Sequence, residues 1–246
     1  MLRKVFVTTS VYALAHQLGM QEALDEVSRQ LQVRKFATEA TPELRTLLPV
    51  VHTITRIARF VGEVGLHVDG GATILGMARS RAFHEAYQSG MPAWITIDDD
   101  VEASTATVAG MLEVLDDLKP RIVLTPYKLR SPGSERLAVN VPTVRVERNV
   151  KGGIKVVAMQ PGHGGGLGFC GMNRPAMEEI ADGPPNWVDE DGVHKRALFF
   201  ERLEDGIWWS EDVSFFRWSV PSTVSVELLL AGQIMHAGMP LELTSL

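Results

Sequence analysis

The run Trp94-Ile95-Thr96-Ile97-Asp98-Asp99-Asp100-Val101 constrains the fold of this chain more than any other segment. A strand of buried character breaks off into three consecutive carboxylates, and in an open α/β sheet the carboxyl ends of strands form the functional edge. If extended geometry persists, alternation turns Asp98 and Asp100 to a common side and Asp99 elsewhere. Three adjacent carboxylates repel one another, and a divalent cation taking oxygen ligands relieves that repulsion. A solvated turn or a helix-capping cluster is the competing reading of the same residues.

The surrounding sequence alternates strand and helix patterns. Residues 4–9 read as a strand, 13–31 as a helix, 33–37 as a second strand, and the region from Pro42 to Val61 as helical, divided or shifted by Pro49. Asp69-Gly70-Gly71 signals a turn. Residues 72–87 place Ile74, Leu75, Ala78, Ala82, Phe83 and Ala86 on one helical side, with Arg79 projecting from its edge. Gly90-Met91-Pro92 ends that helix before a strand over 93–97. Ser104 caps a helix carrying Val108, Met111, Leu112 and Leu115, Pro120 stops it, and 121–125 resumes the sheet. Further on, 141–147 and 154–159 suit a hairpin and Asn173-Arg174-Pro175 suits a helix start. Residues 188–196 suit a surface loop, and 224–230 a strand. No linker divides the chain, which predicts one compact domain over 1–246.

Three later features carry candidate chemistry. Glu211 and Asp212 follow Ser210 at the expected start of a helix, where acids either serve a site or favour the helix dipole. His236 follows an apolar run and offers a nitrogen ligand for a transition metal such as manganese. The segment 162–168 is rich in glycine but lacks the lysine and hydroxyl pattern of a phosphate loop. Its glycines suit a close backbone approach to a ligand, or a structural turn, and His163 there is a candidate acceptor contact. Trp208, Trp209 and Trp218 serve either as core or as a sugar-stacking surface.

Composition bounds the partners. With 24 Lys+Arg against 30 Asp+Glu, the formal net charge of −6 disfavours a general grip on nucleic acid. No apolar run reaches the ~20 residues of a transmembrane helix, and polar residues interrupt the opening MLRKVFVTTSVYALA. The expected location is cytoplasmic. The one cysteine, Cys170, forms no internal disulfide.

Taken in order, several segments resemble the nucleotide-sugar glycosyltransferases of the GT-A fold with a DXD motif. They are Val5-Phe6-Val7-Thr8-Thr9, Ala78-Arg79-Ser80-Arg81-Ala82, Ile95-Thr96-Ile97-Asp98-Asp99-Asp100, Gly168-Phe169-Cys170-Gly171-Met172-Asn173-Arg174, Glu211-Asp212-Val213-Ser214-Phe215 and His236-Ala237-Gly238. The resemblance implies an α/β fold, with a Rossmann-like open twisted mixed sheet flanked by helices. It implies metal-dependent transfer of a sugar from a nucleotide-sugar donor to an acceptor hydroxyl. Thr8 and Thr9 would approach the nucleotide base, and Arg79, Asp98, Asp99 and Asp100 would face the donor. Asp98, Asp100 and His236 would hold Mn2+ or Mg2+. Asp212, beside Glu211, would be the general base in an inverting enzyme, or position donor or acceptor in a retaining one. The opening loop lacks the proline and asparagine frequent in this superfamily, so the base is unassigned. The acceptor is open among a small glycan, a lipid-linked saccharide, a protein side chain and a modified base in nucleic acid. The competing functions are a nucleotidyltransferase, a sugar-nucleotide hydrolase and a noncatalytic carbohydrate-binding protein.

Overall fold

The computed structural model describes residues 2–11, 48–70, 75–128, 137–139, 146–149, 154–182, 187–188, 192, 194–236 and 239–245. The helix and strand expected over 13–31 and 33–37 lie outside these residues. So do residues 141–145 of the expected hairpin.

In chain order the strands are β1 (Lys4–Val11), β2 (Glu63–Gly70), β3 (Ala93–Asp98), β4 (Val101–Ala103), β5 (Arg121–Leu124), β6 (Val146–Asn149), β7 (Lys155–Ala158) and β8 (Phe169–Asn173). They continue with β9 (Trp187–Val188), β10 (His194–Lys195), β11 (Arg202–Glu204), β12 (Ile207–Trp209), β13 (Ser225–Leu230), β14 (Gln233–His236) and β15 (Met239–Glu242). The α-helices are α1 (Leu48–Phe60), α2 (Leu75–Gln88), α3 (Thr105–Leu115), α4 (Arg174–Ala181) and the short α5 (Glu211–Ser214), which runs on into a π-helical turn over Phe215–Ser219.

Among the described residues, eight strands form the main sheet in the order β2-β1-β3-β8-β5-β13-β7-β6. β1 is parallel to both β2 and β3, and β5 is parallel to β13. β8 runs antiparallel between β3 and β5, and β7 is antiparallel to β13. The strand period of two divides the core in two. Ala93, Ile95 and Ile97 of β3 join Val123 of β5 in a cluster with α1 and α3; Trp94, Ile122, Leu124 and Met172 join a second cluster with Phe83 of α2 and Met177 of α4. A strand covered on both sides needs apolar residues at consecutive positions, which is why 94–97 is unbroken by charge. Each such aliphatic or aromatic side chain contributes roughly 1.5–3 kcal/mol on burial.

Several elements differ from the sequence expectation. Asp69 and Gly70 belong to β2 rather than to a turn, because all eight residues of β2 are in parallel register with β1. Residues 187–188 and 194–195 pair as a two-stranded ribbon that overlaps the surface loop expected over 188–196. α3 ends at Leu115, ahead of Pro120, which instead leads into β5. Ser104 caps α3 by accepting from the Thr107 N–H, and Asn173 caps α4 in the same way from Ala176. The hairpin partners β6 and β7 are antiparallel as expected. Among the described residues, no helix is long and apolar enough to cross a membrane.

Candidate active site at the carboxyl edge of the sheet

β1, β3 and β5 run in one direction, so Thr9, Asp98 and Thr125 arrive at the same edge; Ser10 is the register partner of Asp98. β8 enters from that edge, and the Asp98 N–H donates to the Gly168 carbonyl at 2.8 Å. The acidic turn after β3 then leads directly into β4. Antiparallel pairing of β4 with β14 sets Val101 opposite His236. Register therefore brings His236 beside the residue that precedes Val101, which is Asp100.

Arg79 is the electrostatic centre of this edge. It sits in the first half of α2, on the face that packs against the sheet, and is 3% exposed instead of projecting from the helix edge. Its Nη1 donates to Glu211 Oε1 at 2.9 Å and to Asp212 Oδ1, and its Nη2 lies 3.2 Å from Asp98 Oδ1. Burial works against the charged guanidinium, but Asp212, Asp98 and Glu211 outweigh it and hold the proton more firmly than usual. Small residues of α2 admit the segment over 198–199 against the helix. A β-carbon on Gly76 would strike the Phe199 carbonyl, and Ser80 Oγ accepts from the Leu198 and Phe199 N–H groups at 3.2 Å.

Asp212 is pushed up to about 7, chiefly by burial, against the pull of Arg79 and with help from Glu211 and Asp98. It also lines a pocket of about 270 Å³ together with Tyr127, Leu137, Val139, Ser210, Val213 and the backbone of Gly164–Gly166. The glycines have a packing role there. Added β-carbons would run into the Phe216 ring at Gly164, Val139 and the Ala138 carbonyl at Gly165, and the Tyr127 hydroxyl at Gly166. Residues 137–139 close one side, with the Gly166 N–H donating to the Ala138 carbonyl at 2.6 Å and the Ala138 N–H donating to that of Tyr127 at 2.8 Å. Ser210 holds the N-cap position of α5, but its side chain makes no capping hydrogen bond. His163 is exposed, with Nδ1 3.3 Å from the Pro161 carbonyl.

His236 Nε2 lies 3.4 Å from Asp100 Oδ2. Its Nδ1 donates to the Lys128 carbonyl at 2.9 Å, a bond that fixes the ring and turns Nε2 toward the carboxylate. Tyr127 supports the other side of the ring, with centroids 4.5 Å apart. Burial, and after it Asp98 and Asp212, raise the Tyr127 phenol above its ordinary range, so it stays protonated. Tyr127 thus separates the Asp100–His236 pair from the Asp212 pocket while touching both. Among the described residues, no three His, Cys, Asp or Glu side chains gather as a ready metal cluster. Asp100 offers a carboxylate oxygen and His236 an imidazole nitrogen, a donor pair that suits a transition metal such as manganese better than magnesium, which prefers oxygen throughout. Asp98 is engaged by Arg79.

Of the expected site residues, Arg79, Asp98, Glu211 and Asp212 therefore meet in one cluster, and Asp100 meets His236. Thr8 faces the core, where its Oγ1 accepts from the Trp94 indole at 2.9 Å. Thr9 Oγ1 is buried with no hydrogen-bond partner among the described residues. Asp99 is half-buried in the turn between β3 and β4. Tyr127 was not singled out by sequence. Its signal is an aromatic residue just past the end of β5, at the same edge as the acidic run.

No protein-family model matches the chain, and no curated protein matches it in sequence. Among solved structures the chain is similar to a crystal structure of A197 from STIV. The identity is 13% over 97% of this chain and 92% of that one, with a TM-score of 0.47.

Proposed function

We propose that the chain is a metal-dependent glycosyltransferase of the GT-A type, which moves a sugar from a nucleotide-sugar donor to an acceptor hydroxyl. The observation that carries this reading is the meeting of Asp98, Arg79, Glu211 and Asp212 with the adjacent Asp100–His236 pair at one sheet edge. The mixed eight-stranded sheet with helices on both faces supports the same reading.

Charge explains why a cation belongs to the reaction. Asp98, Glu211 and Asp212 share a single guanidinium and Asp100 follows two residues after Asp98, a surface that repels a diphosphate unless positive charge comes with it. Mn2+ or Mg2+ held by Asp100 and His236 would supply that charge and stabilise the departing diphosphate. Arg79 orients Asp98 toward the donor and holds Glu211 and Asp212 in place. In the pocket, Asp212 takes the proton of the acceptor hydroxyl. The oxygen then bonds to the anomeric carbon, and the bond to the nucleoside diphosphate breaks with its electron pair leaving on phosphate oxygen. A carboxylate pushed up to about 7 is a stronger base than an ordinary aspartate and still loses its proton near neutral pH.

The test is a donor screen with Mn2+ or Mg2+, read as nucleotide release and followed by mass analysis of candidate acceptors. Acceptor-dependent release of nucleoside diphosphate is expected, and Asp100→Asn should abolish metal-dependent donor binding. Free sugar released without acceptor would point to a hydrolase, and pyrophosphate formed from a nucleoside triphosphate to a nucleotidyltransferase. A folded, metal-loaded sample that binds no sugar nucleotide would sink the proposal.

A further inference from the structure

β11 and β12 form a tight hairpin around Asp205 and Gly206, whose φ angles of 52° and 75° are those of the left-handed two-residue turn favoured by Asp-Gly. Its two faces differ. On one, the Arg202–Trp209 end packs inward, the Arg202 guanidinium 4.7 Å over Trp218 and Trp209 edge-on to Trp218, while Ile207 nearer the tip is 53% exposed. On the other, Leu203 and Trp208 are register partners and each is 64% exposed. An indole left facing water at that level has gained little from folding, so its apolar face is available to a partner.

The chain direction ties this face to the pocket. β12 runs into Ser210, whose backbone is extended with φ −65° and ψ 163°. Alternation therefore carries Trp208 and Ser210 to the same side. Ser210 lines the pocket with Asp212, and two residue steps place Trp208 about 7 Å along the strand from Ser210. A ligand whose reacting hydroxyl sits beside Asp212 would extend across Ser210 onto the indole.

We infer that the Leu203–Trp208 face is an acceptor subsite for a saccharide chain, with one ring stacked on Trp208 while its neighbour presents a hydroxyl to the pocket. The stacking follows from the apolar C–H face of a pyranose, and the hairpin's polar margin matches the sugar's hydroxyls. Glu201 and Asp205, two positions either side of Leu203, are exposed at the platform's margin. Asp205 at the very tip and Glu201 behind it repel an anionic bilayer, which argues against a lipid surface as the occupant. The assignment rests on the transferase reading for the role of Asp212.

Calorimetric titration of the full chain with cellotetraose, chitotetraose and mannotetraose tests it, with phosphatidylglycerol vesicles as the lipid arm. At least one tetraose should bind the wild type, about tenfold more weakly to Trp208→Ala, and with nearly full affinity to Trp208→Tyr. Trp208 is exposed, so the alanine variant should still fold, which a thermal melt verifies. The inference is overturned if no tetraose binds, if Trp208→Ala binds as the wild type does, or if vesicles bind in a Trp208-dependent way. Manganese-dependent donor binding, measured on the same wild-type sample, separates the two readings. Saccharide binding without donor binding would remove the transferase and leave the platform standing.

Discussion

Arg79 is shared by three carboxylates from two distant parts of the chain, and its removal has consequences for both folding and turnover. In Arg79→Leu, Asp98, Glu211 and Asp212 would face one another without their shared cation. Loss of one partner from a buried ionic group costs about 3–5 kcal/mol, readable as a lower urea midpoint. Asp212 makes a second prediction. Proton abstraction requires its ionised form, so turnover should rise with pH around a midpoint of about 7, and Asp212→Asn should remove that limb from any residual activity. Stability moves the other way. Between the ordinary aspartate range and about 7, the folded chain keeps a proton that the unfolded chain has lost, so stability falls as pH rises through that window. Urea titrations of wild type and Asp212→Asn across those pH values would expose the difference in slope.

At the scale of elements, the pocket wall depends on glycine for packing. Gly166→Ala would push against the Tyr127 hydroxyl and should cost about 1–3 kcal/mol in a thermal melt while loosening the contact between Tyr127 and His236. Ser104→Ala should cost about 1 kcal/mol for the lost helix cap, and more here because Ser104 Oγ also accepts from the Gln233 N–H of β14. The same elements explain what could be read in advance. β3 was legible because burial on both faces leaves a run free of charge, and its carboxylates mark where the strand leaves the core. β2 was not: it is an edge strand with half-buried side chains over 64–67, and Asp69-Gly70 carries turn chemistry that pairing with β1 overrides. Arg79, Asp98 and Asp212 were legible through their resemblance to a family pattern, whereas Tyr127 belongs to no local period. Its position follows from tertiary contacts with His236 and the glycine segment.

For the molecule as a whole, donor and cation should bind the folded state and not the unfolded one. At a hundred times the dissociation constant, such binding adds about 2.7 kcal/mol, a rise of roughly 5–10 °C in Tm for a chain of this size. A sugar nucleotide together with Mn2+ should produce that rise, and Asp100→Asn should remove it. Asp98 sits on the eight-stranded sheet and Arg79, Glu211 and Asp212 on helices beside it, whereas the second half of the Asp100–His236 pair comes from the separate β4-β14-β15 sheet. That division has a consequence for local opening. If β14 parts from β4, the imidazole leaves Asp100 while the ion pairs of Arg79 stay closed, so the acidic edge loses its nitrogen donor without losing its guanidinium.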